Sequence, residues 1–130
     1  MLSILQQASQ AGFACVLDYA TLYCPNERTI NIDSAFYGSY ATPCNTSCCV
    51  ATSDDCTESI QGTAPVEWEA LLLMCQGQEI CSVENAGRVL TTCNNSPNNY
   101  LIITYSCLPG ILFSLPIYSE YLVQKMMALA

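Results

Sequence analysis

The chain has no histidine, and only Arg28, Arg88 and Lys125 carry positive charge against eleven acidic residues. Without imidazole there is no Ser-His-Asp or Cys-His dyad, no histidine metal ligand, and no side chain titrating ordinarily near neutral pH. Three scattered cations in a chain of net charge −8 provide no Lys/Arg cluster for a phosphate backbone, which excludes nucleic acid as a partner. Anionic membranes and acidic glycans are poor electrostatic targets for the same reason. Neutral ligands, held by hydrogen bonds and apolar stacking, suit the chain better. Long apolar runs are also scarce. Residues 108–130 are mostly apolar, but Pro116 splits them and Glu120 and Lys125 interrupt them. A membrane-spanning helix needs about 20 mainly apolar residues. We expect a tail of unknown role, the sole route to any membrane contact. Residues 1–13 begin "MLSIL" but have no basic start and no apolar core of roughly 7–15 residues. They read as a leader or a truncated segment.

What the chain does have is ten cysteines in 130 residues. That density belongs to compartments where disulfides persist: secreted, extracellular or cell-surface. The cysteines run from Cys15 to Cys107, so one small domain spans residues 14–107. A domain of this size buries a modest core, and disulfides supplement it. Cys48 and Cys49 are adjacent and would form only a strained bridge with each other, so outward pairing is open to each. Four thiolates at Cys44, Cys48, Cys49 and Cys56 satisfy zinc's ligand chemistry, but the paired knuckle spacing is absent. No metal or cofactor is expected.

The fold reads as α+β. Thr21–Cys24 and Arg28–Phe36 are predicted strands, the second with Ile30, Ile32 and Ser34 alternating against Thr29, Asn31 and Asp33. Residues 37–56 are small, polar and cysteine-laden, a loop held by bridges. Residues 64–75 make the one convincing helix, with Thr63 as N-cap, Pro65 in the first turn and Glu67 and Glu69 near its positive end. Trp68, Leu71, Leu72 and Cys75 form its inward stripe, and Gly77 stops it. Glu79–Asn85 is a short strand and Tyr100–Cys107 the strongest one. The expected architecture is a small disulfide-stapled antiparallel β-sandwich with one main helix.

In order, "AC" at Ala14–Cys15, "TLYCP" at Thr21–Pro25, "INIDSAFYG" at Ile30–Gly38, "CQGQEICSVE" at Cys75–Glu84 and "YLIITYSC" at Tyr100–Cys107 resemble the SUEL-type lectin domain. This is the galactose- or rhamnose-binding module of sea-urchin egg lectin, fish-egg lectins and latrophilin-type receptors. The resemblance implies pairing of Cys15 with Cys44, Cys24 with Cys107, Cys56 with Cys93 and Cys75 with Cys81. Cys48 and Cys49 are then extra, and one of them is an alternative partner for Cys93. It also implies a neutral-sugar site built from an acid after the first cysteine, the tyrosine of "YG", an acid before the seventh cysteine and a basic residue in the following loop. Here Tyr37 and Gly38 match. Val16, Thr91 and Asn98 or Asn99 replace the other three, and Ser39 stands where an arginine follows "YG". A carboxylate accepts strong charge-assisted bonds from adjacent hydroxyls and valine accepts none, so the pocket is degenerate.

The expected sugar-binding set is therefore Tyr37, Gly38, Thr91, Asn95, Asn98 and Asn99. Asparagine donates and accepts, yet it also favours turns for backbone reasons. "NTS" at Asn45 and "NNS" at Asn94 are N-glycosylation sequons. Asp54, Asp55 and Glu58 are expected to be solvated loop acids, since a glycosidase pair needs a carboxyl of raised pKa in a cleft. No catalytic residue is expected. The function expected from the resemblance is a carbohydrate-binding lectin module for galactose- or rhamnose-class sugars on cell-surface or secreted glycans. The alternatives are an extracellular protein-interaction or adhesion module on the same scaffold, or a disulfide-rich secreted effector.

Overall fold

The computed structural model describes residues 9–42, 44 and 48–110. The sequon asparagine Asn45, and the leader and tail beyond these bounds, lie outside the described residues. Among the described residues, eight strands and two helices follow in chain order. They are β1 (Gln10–Cys15), β2 (Tyr19–Tyr23), β3 (Arg28–Ser39), β4 (Cys56–Ser59), α1 (Ile60–Thr63), α2 (Pro65–Cys75), β5 (Ile80–Glu84), β6 (Val89–Leu90), β7 (Ser96–Pro97) and β8 (Tyr100–Pro109), with a 3-10 turn at Thr91–Cys93. The fold is a small disulfide-rich α+β domain.

The main sheet is antiparallel in the order β1-β8-β3-β4, with β2 paired to β5 and β6 to β7 in separate two-stranded ribbons. β8, rich in β-branched and aromatic residues, is central and alternates cleanly. Leu101, Ile103, Tyr105 and Cys107 face the core and are buried. They meet Ala14 from β1, Ile30, Ile32 and Ala35 from β3, Ala20 and Leu22 from β2, and Leu71 and Cys75 from α2. β1 extends the domain towards the N-terminus: the expected boundary between residues 13 and 14 falls inside this strand. Its burial alternates over six residues, too short a pattern beside the weakly apolar leader to stand out by period alone.

The sequence pattern of β3 predicts one unbroken alternation, and the structure breaks it. Ile32 pairs with Tyr105 and Ser34 with Thr104, a bulge that leaves Asp33 unpaired. An extra residue in one strand turns every following side chain to the opposite face. Ile30 and Ile32 point inward before the bulge; Ala35 and Tyr37 do so after it. Ser34, expected on the inward set, instead meets Thr104 through its hydroxyl on the other face.

The helix begins at Pro65 as its proline predicts, but Thr63 does not cap it. Thr63 ends the separate turn α1, and its hydroxyl donates to Ser59 O at 2.6 Å. Ser59 caps α1 by accepting from Gly62 N, and Ala64 precedes α2 with no side-chain cap. On α2, Leu71 and Cys75 are buried, and Trp68 and Leu72 pack half-buried against the core. Gly77 follows at φ 81°, the left-handed conformation that ends the helix.

Five disulfides staple this frame: Cys15–Cys48, Cys24–Cys107, Cys44–Cys49, Cys56–Cys93 and Cys75–Cys81. The last two and Cys24–Cys107 are the pairs implied by the resemblance. Cys15 departs from it, joining Cys48 and not Cys44. The loop after β3 makes the exchange possible: Tyr40 accepts Cys49 N on its hydroxyl oxygen at 2.7 Å and donates back to Cys49 O, which fixes the Cys48–Cys49 segment beside the sheet. Cys44 then closes a short local loop with Cys49. With every thiol of Cys44, Cys48, Cys49 and Cys56 in a disulfide, none is left as a thiolate for zinc.

Candidate functional site

The bulge in β3 places Tyr37 on the helix side of the sheet, opposite Leu101 and next to Glu58 in register. There it borders a cleft of about 310 Å³ whose lining includes Ile60, Glu67, Leu71, Arg88 and Leu101. The floor is apolar and the rim is polar. Arg88 Nη1 donates to Glu67 Oε2 at 2.7 Å, and its guanidinium carbon stands 5.3 Å from the centre of the Tyr37 ring. This is a cation–π geometry. Tyr37 is half-buried. Burial raises its pKa, the Glu67 charge raises it further, and the Arg88 charge offsets part of the rise. The hydroxyl therefore stays protonated and able to donate.

Arg88 is held from below by a buried amide pair. Asn98 Oδ1 accepts Arg88 N at 2.7 Å, while Asn98 N donates to Arg88 O at 2.9 Å. Asn98 Nδ2 donates to Asn85 Oδ1 at 2.8 Å, and that oxygen also accepts Gly87 N. Asn85 Nδ2 donates in turn to Ala14 O at 3.1 Å. Both asparagines are buried, and each amide finds partners, as buried polar groups must. The result is a rigid loop presenting the guanidinium over the tyrosine. Val16 lies beside this loop: a methyl-sized group on Gly87 would sit 3.5 Å from Val16 Cγ1. No carboxylate is supplied from that position.

No family model matches the chain. Among curated proteins the chain is similar to Protein eva-1 homolog C of Homo sapiens, at 31% identity over 100 residues, which cover 75% of this chain and 22% of that protein. The protein of that name from Pan troglodytes matches to the same extent. The one from Mus musculus is 29% identical over 104 residues, covering 78% of this chain and 23% of its own length. The chain thus spans between a fifth and a quarter of the length of the curated relatives it matches.

Of the six residues expected to meet sugar, only Tyr37 borders the cleft. Gly38 faces the opposite side of the sheet, where a Cβ would run into the Tyr100 ring. Its role is close packing. Tyr100 there stacks on Phe13 at 5.2 Å and meets Tyr40 at 5.3 Å. Asn99 Oδ1 accepts Tyr40 N at 2.8 Å, and Asn99 N donates to Gly38 O. Asn98 is buried in the loop-bracing network described above. Asn94 and Asn95 are exposed turn-formers at φ 57° each, reversing the chain between β6 and β7. Asn94 is thereby open at a hairpin tip. Thr91 opens the 3-10 turn beside Glu58. The amide oxygens of Asn98 and Asn99 are spent on backbone N–H groups, which no sequence pattern distinguishes from amides aimed at ligand.

Two acids also behave differently from expectation. Glu58 is buried at 3% exposure, not solvated. It accepts Thr92 N at 3.0 Å and Thr92 Oγ1 at 2.7 Å. The Thr92 backbone donor, helped by its hydroxyl and the Arg88 charge, outweighs desolvation and holds the Glu58 pKa below the ordinary value. Asp55 accepts from Ala41 N, Thr52 N, Thr52 Oγ1 and the Tyr100 hydroxyl. Desolvation pushes its pKa up, but these donors, led by Thr52 and Ala41, bring it below normal. Both carboxylates fasten the cysteine-rich loop and the 3-10 turn to the sheet. Arg88 and Glu67 were the site residues that sequence reasoning passed over. Their signal was thin: Arg88 is one of three cations, and Glu67 reads as an ordinary first-turn acid on a helix.

Proposed function

We propose that this chain is a carbohydrate-binding, lectin-like module of an extracellular protein, belonging to the SUEL type and taking a neutral sugar in the cleft beside Tyr37. The carrying observation is the Tyr37–Arg88–Glu67 arrangement: a phenolic hydroxyl, a fork of guanidinium donors and a carboxylate acceptor at the mouth of one cleft. Sugar hydroxyls need paired donors and acceptors. Arg88 supplies the cation that the resemblance expects from a later loop, and Glu67 supplies an acceptor from α2 in place of the missing acids. Five disulfides are consistent with an extracellular setting, and no described helix is long and apolar enough to cross a membrane. The module binds without catalysing, and linked copies would raise weak affinity.

The test is a glycan array probed with the oxidised chain, its Arg88→Gln variant and its Tyr37→Ala variant, each checked for an unchanged melting transition. Selective capture of galactosides or rhamnosides, lost in both variants, is the expected outcome. A blank array from folded protein removes the sugar reading. The alternative is then a protein-interaction module on the same scaffold, favoured by the internal use of Asn98 and Asn99.

A further inference from the structure

The β2–β5 ribbon turns Ala20, Leu22, Cys81 and Val83 toward the core. Its other face carries Tyr23 opposite Ile80, Thr21 opposite Ser82, and Tyr19 opposite Glu84. Among the described residues, no element covers that face. Tyr19 and Tyr23 are each 54% exposed and Ile80 is 60% exposed. A solvated ribbon gains nothing from showing water two tyrosines and an isoleucine, whereas exposed aromatic clusters mark recognition surfaces. Thr21 and Ser82 hydroxyls meet across the middle at 3.4 Å, leaving a flat strip with an aromatic ring toward each end.

The electrostatics indicate what covers it. Residues 18–23 and 79–84 include Asp18, Glu79 and Glu84 and not one Lys or Arg. All three acids are exposed, and among the described residues the one ion pair is Arg88–Glu67, elsewhere. The strip is thus acidic at its margins and carries an aromatic ring toward each end. Aromatic faces attract guanidinium and ammonium groups, and unpaired carboxylates complement the same charge. Five residues of paired strand span about 17 Å and two strands about 5 Å between axes. That is a footprint for a single extended segment, too narrow for a folded domain.

We propose that the outer face of β2–β5 is a second binding surface, which docks an extended, basic segment of a partner protein. Arginine or lysine side chains of that segment lie over Tyr19 and Tyr23, and its smaller residues lie against Thr21, Ser82 and Ile80. The surface adjoins the Tyr37 cleft at Glu84 but does not depend on sugar binding there.

The experiment uses the full oxidised chain and immobilised peptides of about ten residues in extended, alternating pattern, one of arginine and threonine and one of glutamate and threonine. The expected result is binding to the arginine peptide alone, weakened about tenfold by Tyr19→Ser with Tyr23→Ser. Asp18→Asn with Glu79→Gln flattens the salt dependence. Arg88→Gln in the cleft leaves the peptide affinity unchanged, which separates this surface from the sugar reading; Glu84 is left unaltered because it also borders the cleft. Peptide binding that survives the tyrosine double variant would reduce the effect to attraction by the net charge and overturn the proposal. So would no binding at all, or capture of a neutral glycan through Tyr19 and Tyr23.

Discussion

Replacing Glu58 with glutamine tests whether the buried carboxylate, and not the shape of its side chain, fastens the 3-10 turn to β4. The wild-type carboxylate receives two bonds, from Thr92 N at 3.0 Å and Thr92 Oγ1 at 2.7 Å, at 3% exposure. A hydrogen bond to a charged group contributes about 1.5–3 kcal/mol against about 0.5–1.5 for a neutral one. Two bonds downgraded by about 1 kcal/mol each predict a loss of about 2 kcal/mol for Glu58→Gln near neutral pH. The melting temperature then falls by roughly 8–16 °C. The folded pKa of Glu58 lies below its unfolded value near 4.5. Its contribution is therefore complete above that value and is lost as pH falls through the folded pKa. Glutamine does not titrate there. Denaturant unfolding of the two oxidised proteins at pH 7 and at about pH 2 reads the difference directly: a gap at neutral pH that closes in acid. A gap that is absent at neutral pH, or that persists undiminished in acid, refutes the charge-based account.

Gly38→Ala drives a methyl into the Tyr100 ring and is expected to cost about 1–3 kcal/mol, seen in denaturant melts with altered near-ultraviolet dichroism from the Phe13–Tyr100–Tyr40 stack. Asn98→Ala removes the acceptor for Arg88 N and strands a bond of Asn85; unfolding should show a loss of roughly 2–3 kcal/mol, with any glycan capture weakened because Arg88 is no longer braced. In Cys15→Ser, alkylation and peptide mapping under non-reducing conditions should find the freed thiol on Cys48. Alkylation at Cys44 would instead restore the pairing implied by the resemblance.

Much of the frame was readable along the chain. The β8 strand, the α2 stripe and the stop at Gly77 come from local composition, periodicity and backbone preference, which neighbouring residues carry in full. Cysteine density and the scarcity of cations set the compartment expected of the chain and the partners it is unsuited to, because both are sums over composition and need no coordinates. The resemblance also named three of the five disulfides, and it expected sugar contact at Tyr37, which the structure places at the edge of a cleft.

Other features depended on distance through space. The bulge at Asp33 decides which face Tyr37 occupies, and a one-residue slip in pairing is invisible to a period-2 pattern until the partner strand is known. Whether an asparagine braces a loop or greets a ligand depends on which backbone groups lie within hydrogen-bond reach, and so Asn98 and Asn99 turned out to be internal. Glu58 looked solvated because its sequence neighbours are polar; Thr92, 34 residues away, buries it. Arg88 and Glu67 are 21 residues apart and meet only because α2 and the Asn85–Arg88 loop border the same cleft. Composition and period thus determined the class of fold and the elements of its core, which are local or additive properties. Tertiary structure alone decided the site, because a site is a set of side chains converging from separate strands and helices.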